Sequence, residues 1–521
     1  MNAVVLLDQG GNVSYTNLDE ITGKVVVRCT KSSDVSSIAV KLEGESRTRL
    51  MSPTGPNGER PRPQLEYHKI LYKVQTVFPP ADILEVKGSK ASYTLPPGQH
   101  EYPFRFKVPF NNSCSNDRSQ LAGGISITGS GLEVRQPPQR HVHKTLPPTL
   151  SGFPGEAEIR YYVKSTVQRN SWYKENTRTE TPFTFLPLEP PRRPITGSEV
   201  YARQNHAFTS FEDGEPVRLK MKGIFGRKRE PAPVPGRSEP PVISIDARLP
   251  EPALLTCNQE IPLRIVVKKL SNSTDPIYLQ SLQIALVGLT NIRAHLVHRT
   301  EANSWILVSK SNMGIVVGSP NDPSGTEVAI DDRIWRGQPL PNTVAPSFEA
   351  CNISRTYQLD IRVGLSYSGP TAHSLKVRKT DIPRVPQVIA LPMRLDIEVL
   401  SGIKPSEALL EAVARGKGTA GRVRPGTSAP IVDKLRTEGR MPNSGAGQAM
   451  PTPIDEAGPS QPQEPPAEAA GDVLPPSYSE APPSYEDAIA TDLPPIDAPR
   501  PNYAPPAAVA DDLLGRDEKR G

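Results

Sequence analysis

The sequence predicts an all-β protein with two β-sandwich domains in tandem, followed by a disordered, proline-rich tail. Short runs of alternating apolar and polar residues, separated by turn residues, recur between residues 4 and 400. This period of two is typical of half-buried strands. The 521 residues also include 59 prolines and only 6% aromatic residues, so a sizeable part of the chain cannot pack into a core.

The first predicted domain covers residues 1–187. Its strand-like runs lie at residues 4–7, 23–29, 38–42, 102–108, 124–128, 159–168 and 182–186. Within the 159–168 run, Ile159, Tyr161, Val163 and Val167 would share one face of a strand. Many short strands joined by proline-rich turns, without an amphipathic helix longer than three turns, favour an antiparallel β-sandwich.

Residues 188–240 form a predicted interdomain segment, which is basic and rich in proline. Its membrane-surface candidates are the cations Lys220, Lys222, Arg227, Lys228 and Arg229. The segment fits two interpretations. It is either a solvated linker or a patch whose cations contact anionic lipid while Ile224 and Phe225 insert beside them.

The second predicted domain covers residues 241–402. Its strand-like runs lie at residues 242–247, 261–268, 278–286, 294–299, 305–308, 357–363 and 394–400. They predict a second β-sandwich by the same reasoning as the first.

Residues 403–521 form the predicted acidic tail. A short helix is expected at its start, with Ser406 as N-cap, residues 408–414 as the body and Gly416 as the C-terminal stop. Beyond the helix, proline, alanine, glycine, serine and acidic residues leave too few large apolar side chains for folding.

A PPxY tetrapeptide occurs twice in this tail, with its copies seven residues apart. The predicted WW-domain-binding residues are Leu474, Pro475, Pro476 and Tyr478 for the first copy and Pro482, Pro483 and Tyr485 for the second. Adjacent prolines pre-form a polyproline II helix, which lies in the aromatic groove of a WW domain while the tyrosine fills a second pocket. Two copies, each with a tyrosine that a spacer would not need, predict docking sites.

The net charge of +5 hides an asymmetry, because residues 442–521 contain 14 acidic and 4 basic residues and leave +15 on the rest of the chain. A positive body can associate with an anionic membrane face or with its own tail. The basic residues are not interleaved with aromatic ones and no zinc-finger or helix-turn-helix pattern occurs, so nucleic acid is not expected as a partner.

The sequence predicts neither a metal site nor a disulfide framework. Cys29, Cys114, Cys257 and Cys351 are far apart without a CxxC pair. The run at residues 141–143 could place two imidazoles on one side of a strand, but no third ligand lies near it in the sequence.

No catalytic residue or cofactor is expected either. The chain contains no GxSxG elbow or HExxH helix. A GxGxxG match at residues 416–421 follows a helix instead of a strand, which argues against a dinucleotide site. The N-terminus lacks a basic leader and no run of about 18 apolar residues occurs, so we expect a cytosolic, non-enzymatic protein.

Several motifs resemble those of the fungal α-arrestins, the arrestin-related trafficking adaptors. They are DEITGKV at residues 19–25, LPPGQHEYPFRF at 95–106, LPPT at 146–149, IRYYV at 159–163, EIPLRI at 260–265 and YLQSLQI at 278–284. The resemblance covers residues 1–402 and the tail motifs. The chain departs from the family at residues 17–20, where a glycine often precedes the glutamate.

The resemblance implies two arrestin-type immunoglobulin-like sandwiches and an adaptor role. Family members recruit a HECT-type ubiquitin ligase, through its WW domains, to plasma-membrane transporters or receptors, which are then ubiquitinated and endocytosed. A peripheral position at the plasma membrane and endosomes would follow. The alternative is an arrestin-like signalling scaffold for an activated receptor, in ambient-pH or G-protein-coupled signalling, with the PPxY motifs serving its own turnover.

Overall fold

The structure of the protein is a computed structural model that describes most of residues 1–412 and one C-terminal segment. The described residues are 1–10, 13–54, 58, 60–80, 92–114, 141–153, 155–169, 175–209, 211–212, 215–216, 240–319, 321–368, 386–412 and 493–506. The expected strand at residues 124–128, the cations of residues 220–229, the GxGxxG match and both PPxY motifs lie outside them.

The first sandwich contains the strands up to residue 183. They are β1 (Asn2–Leu7), β2 (Glu20–Cys29), β3 (Ser33–Val35), β4 (Ser37–Met51), β5 (Pro63–Phe78), β6 (Tyr93–Leu95), β7 (Gly98–Lys107), β8 (Leu150–Phe153), β9 (Ala157–Gln168) and β10 (Thr177–Phe183). One sheet has the order β1-β2-β7 and a second has the order β10-β9-β4-β5, with β8 on β9 and a small β3-β6 pair beside them. All of these pairings are antiparallel.

The core of the first sandwich follows from the alternation in its strands. Val25 and Val27 of β2 lie in one apolar cluster with Leu42 of β4 and Val163 of β9. Removing such side chains from water stabilises the fold by about 25 cal/mol per Å² of apolar surface. The prediction that the odd-numbered apolar residues of the 159–168 run share a buried face is confirmed.

The second sandwich contains the strands from residue 199 onward. They are β11 (Glu199–Ala207), β12 (Phe211–Glu212), β13 (Glu215–Pro216), β14 (Val242–Pro250), β15 (Leu254–Thr256), β16 (Arg264–Lys269), β17 (Ile277–Ala294), β18 (Val297–Lys310), β19 (Ile315–Val316), β20 (Glu327–Ala329), β21 (Phe348–Glu349), β22 (Ile353–Tyr367) and β23 (Gln387–Leu400). One sheet has the order β11-β14-β16-β20, and the other has the order β15-β23-β22-β17-β18. In the second sheet, β19 also pairs with β17 and β21 also pairs with β22. A 3₁₀ helix spans Asp332–Ile334.

Two sequence expectations for this half need correction. The interdomain segment supplies β11, which pairs along its whole length with β14. The expected strand at residues 294–299 is interrupted by a hairpin turn at residues 295–296, because β17 ends at Ala294 and β18 begins at Val297. His295 adopts a left-handed φ of 57° in that turn.

The predicted helix at the beginning of the tail is present up to residue 412, and its predicted end at Gly416 lies outside the described residues. Residues 407–412 are helical, and the Ser406 side chain accepts a hydrogen bond from the Leu409 N–H at 3.3 Å, as an N-cap does. Within the described residues, no helix combines the length and apolarity that a membrane span requires.

Candidate functional site

A buried polar interface joins the two sandwiches. Ser46 Oγ lies 2.5 Å from Asn352 Oδ1, and Asn352 Nδ2 donates to Thr48 Oγ1 at 3.1 Å. Thr48 Oγ1 in turn donates to the Arg293 carbonyl at 2.5 Å. Since Ser46 and Thr48 are on β4 and the other two residues belong to the second sandwich, these bonds fix the register of one domain on the other.

A buried carboxylate, Glu66 of β5, lies at the centre of this interface. It pairs with the Arg293 guanidinium at 2.7 Å and accepts a hydrogen bond from the His295 N–H at 2.6 Å. Burial opposes ionisation of Glu66, but hydrogen bonds from His68 and the His295 amide, together with Arg293, hold its pKa below the ordinary value. Glu66 therefore provides a fixed negative charge between the domains.

Four possible metal ligands lie beside Glu66. The side chains of His68, Cys114, His141 and Cys351 place one donor atom each within 4.8 Å of all the others. A hydrogen bond from the Cys114 thiol lowers the pKa of Cys351 against the effect of burial, and His68 adds to this lowering. The same thiol–thiol hydrogen bond and burial raise the pKa of Cys114.

This cluster corrects the sequence argument about the two histidines. His143 is exposed, whereas His141 is only partly exposed and its Nδ1 lies 3.2 Å from Cys114 Sγ. The further donors around His141 come from distant parts of the chain, so spacing along the sequence did not reveal them.

The C-terminal segment 493–506 is the second feature that sequence reasoning missed. Ile496 and Tyr503 are buried in the same apolar cluster as the first-sandwich core. The Tyr503 hydroxyl donates to the Thr149 carbonyl at 2.7 Å, and burial raises the Tyr503 pKa. The expectation of a disordered tail therefore does not hold for residues 493–506.

An ion pair holds this segment on the turn before β2. Arg500 Nη2 lies 2.8 and 3.1 Å from the two carboxylate oxygens of Asp19. Asp19 Oδ2 also accepts a hydrogen bond from the Thr16 N–H at 2.8 Å. Burial raises the pKa of Asp19, while Thr16 and Arg500 oppose the rise, and Leu18 has a left-handed φ of 69° where the chain departs from the family pattern.

The docked segment also contacts the second sandwich. The Ala504 N–H donates to the Asn342 carbonyl at 3.0 Å, and Lys107 Nζ of β7 donates to the Leu493 carbonyl at 2.5 Å. Leu493 is eight positions after Tyr485 of the second PPxY motif, and eight positions span at most about 28 Å when fully extended. The second PPxY motif is therefore close in sequence to the docked segment.

Comparison with known proteins identifies the family of the first sandwich. The family described as arrestin (or S-antigen), N-terminal domain, matches residues 4–188, so the first sandwich is an arrestin N-terminal domain. The predicted kinship with the arrestin-related trafficking adaptors is confirmed by the relatives that follow.

Two fungal proteins are similar to part of this chain. Arrestin-related trafficking adapter 10 of Lachancea thermotolerans is 31% identical over 121 residues, which are 21% of this chain and 28% of that protein. Arrestin-related trafficking adapter 10 of Candida glabrata is 31% identical over 114 residues, which are 20% of this chain and 23% of that protein. The chain thus spans about a quarter of the length of these curated relatives.

Proposed function

We propose that this protein is an arrestin-fold adaptor that recruits a HECT-type ubiquitin ligase to transporters or receptors of the plasma membrane. The ligase would bind through its WW domains and ubiquitinate the cargo, which would then be endocytosed. The observation that carries the proposal is the presence in one chain of an arrestin N-terminal domain and two PPxY motifs. The adaptor itself needs no catalytic residue, because the ligase supplies the chemistry.

The anchored segment supports this division of labour. Because Leu493 is bonded to β7, a ligase bound at the second motif stays close to the cargo that the body holds, which raises its effective concentration there. The protein would act in the cytoplasm, peripherally bound to the plasma membrane and endosomes. The cations of residues 220–229 are the proposed contact with anionic lipid.

The two tyrosines provide the direct test. We expect the double variant Tyr478→Ala/Tyr485→Ala to lose most of the affinity of the full-length protein for a purified pair of tandem WW domains, because alanine cannot fill the tyrosine pocket. Each single variant should lose less than half as much binding free energy, since the remaining motif still engages and rebinds. Isothermal titration calorimetry measures all four proteins.

The matched control replaces the variable position of each motif. Ser477→Ala/Ser484→Ala keeps the prolines and tyrosines and should bind as tightly as the parent chain. Equal affinity of the double tyrosine variant and the parent would place the docking sites elsewhere and remove the main support for ligase recruitment.

A further inference from the structure

The four possible ligands at the domain interface come from four separate parts of the chain. His68 is on β5, Cys114 follows β7, His141 lies in the segment before β8, and Cys351 lies between β21 and β22. The first three belong to the first sandwich and Cys351 to the second. Their convergence is therefore a property of the assembled two-domain body.

Two donor–donor distances in the cluster are close to those around a tetrahedral zinc ion. His68 Nδ1 lies 3.4 Å from Cys114 Sγ, and Cys114 Sγ lies 3.2 Å from His141 Nδ1. Zinc–sulfur bonds of about 2.3 Å and zinc–nitrogen bonds of about 2.0–2.1 Å imply edges of roughly 3.3–3.8 Å between tetrahedral ligands. The four donor atoms lie within 4.8 Å of one another, so shifts of about 1 Å would bring all of them onto such edges.

The surroundings orient the donors. His68 Nε2 lies 2.6 Å from Glu66 Oε1, so the ring donates its Nε2 proton to a carboxylate and leaves the Nδ1 lone pair facing the cluster. This carboxylate–histidine arrangement is the usual outer support of a metal-binding histidine. The Val142 N–H donates to Cys351 Sγ at 3.4 Å, which favours a thiolate there.

The Glu66 network extends this support across the interface. Arg293, which pairs with Glu66, also donates to the Cys351 carbonyl at 2.8 Å. The Arg293 guanidinium thus holds both the Cys351 backbone and Glu66, the carboxylate that supports His68. His68, Cys114 and Cys351 are 2%, 8% and 2% exposed, whereas His141 is partly exposed, which leaves a side on which an ion can enter.

We propose that His68, Cys114, His141 and Cys351 bind one Zn²⁺ ion that fastens the two sandwiches together. Two thiolates and two neutral imidazoles suit zinc, and four protein ligands close the coordination sphere as in structural zinc sites. In the zinc-bound form both sulfurs are thiolates, any thiol proton having passed to solvent, and the two sulfur charges balance the ion. The site would stabilise the interface over which the adaptor presents cargo and ligase.

Metal content tests the proposal on the full-length protein. We expect the chain, stripped with a chelator under reducing conditions and reloaded with Zn²⁺, to retain one zinc ion per molecule by plasma mass spectrometry. Cobalt(II) in its place should give sulfur-to-metal charge-transfer absorption. Cys114→Ser and Cys351→Ser should each weaken zinc binding by at least about 100-fold, since the loss of an outer partner alone costs 10–100-fold.

Two further variants keep the result independent of folding. His141→Ala, at a partly exposed position, should leave the fold intact, weaken zinc binding and alter the cobalt spectrum. Cys29→Ser changes a buried thiol in the first core and should still bind one ion. The proposal is overturned if the reloaded parent holds no zinc, if Cys114→Ser/Cys351→Ser still holds it, or if the isolated protein contains a Cys114–Cys351 disulfide instead.

Discussion

Glu45 of β4 shows how a single buried carboxylate organises the first sandwich. It accepts hydrogen bonds from the Tyr162 hydroxyl at 2.5 Å and the Tyr67 hydroxyl at 2.6 Å, and it pairs with Arg160 at 3.1 Å and Arg47 at 2.7 Å. Burial alone would raise the pKa of Glu45, but these four partners hold it below the ordinary value. Strands β4, β5 and β9 therefore share one charged acceptor.

We expect Glu45→Gln to lower the free energy of unfolding at pH 7 by about 3 kcal/mol, because two guanidinium groups lose their buried counter-ion. The folded-state pKa of Glu45 is depressed, so its stabilisation is present above the unfolded pKa and is lost as the pH falls through the folded pKa. The difference in unfolding free energy between parent and variant should therefore shrink as the pH falls below 4.5. Urea unfolding at a series of pH values measures it.

Glu101 is the matched control for Glu45. It pairs with Lys24 at 2.8 Å, but both side chains are 43% exposed, and exposed pairs of this kind contribute little to stability. Glu101→Gln should unfold almost like the parent at every pH. The assigned role would be contradicted if both variants lost the same unfolding free energy. It would also be contradicted if the loss in Glu45→Gln increased toward acidic pH.

Among the elements, the docked segment 493–506 differs most from its sequence-based expectation. Its anchors are the Arg500–Asp19 ion pair and the buried Tyr503 side chain. Tyr503→Ala should raise amide exchange within the segment by roughly 100-fold, because removal of a buried aromatic side chain costs about 3 kcal/mol. Arg500→Gln should act in the same direction. Hydrogen-exchange mass spectrometry of the full-length chain measures both.

Asn502 is the control for this element, because it is exposed in the same segment. Asn502→Ala should exchange like the parent, and the strands of both sandwiches should keep their protection in all three variants. Unchanged protection of the segment in Tyr503→Ala would show that the docking does not depend on this side chain.

Particular elements explain how far the sequence could predict the fold. Alternation predicted β9 because every second residue is buried on one side. Edge strand β11 was missed because it packs only loosely on the core and its sequence is mostly polar. The docked segment was missed because Ile496 and Tyr503 are isolated apolar residues in a proline-rich composition, and only contact with the body shows their role.

At the scale of the whole molecule, the two described parts of the tail both contact the body. Leu409 of the 407–412 helix and Tyr503 are both buried in the first apolar cluster, and the two PPxY motifs lie between these anchors in the sequence. Seven residues of polyproline II span only about 22 Å. Alternate rebinding of one WW domain between the two motifs is therefore expected more than simultaneous binding of two domains.

The cluster of four possible metal ligands also belongs to this scale and lay beyond sequence reasoning. His68, Cys114, His141 and Cys351 share no local spacing, and their meeting depends on how one sandwich docks on the other. The PPxY motifs, in contrast, are proposed to bind as short peptides, so four consecutive residues are enough to predict them.

The most direct test of the adaptor proposal is a comparison of cell-surface proteins between cells that express the parent chain and cells that express Tyr478→Ala/Tyr485→Ala. We expect a set of plasma-membrane transporters or receptors to be ubiquitinated and lost from the surface with the parent chain and retained with the variant. Ser477→Ala/Ser484→Ala should behave like the parent. Identical surface loss with parent and tyrosine variant would contradict the ligase-adaptor account and favour a receptor scaffold whose PPxY motifs serve only its own turnover.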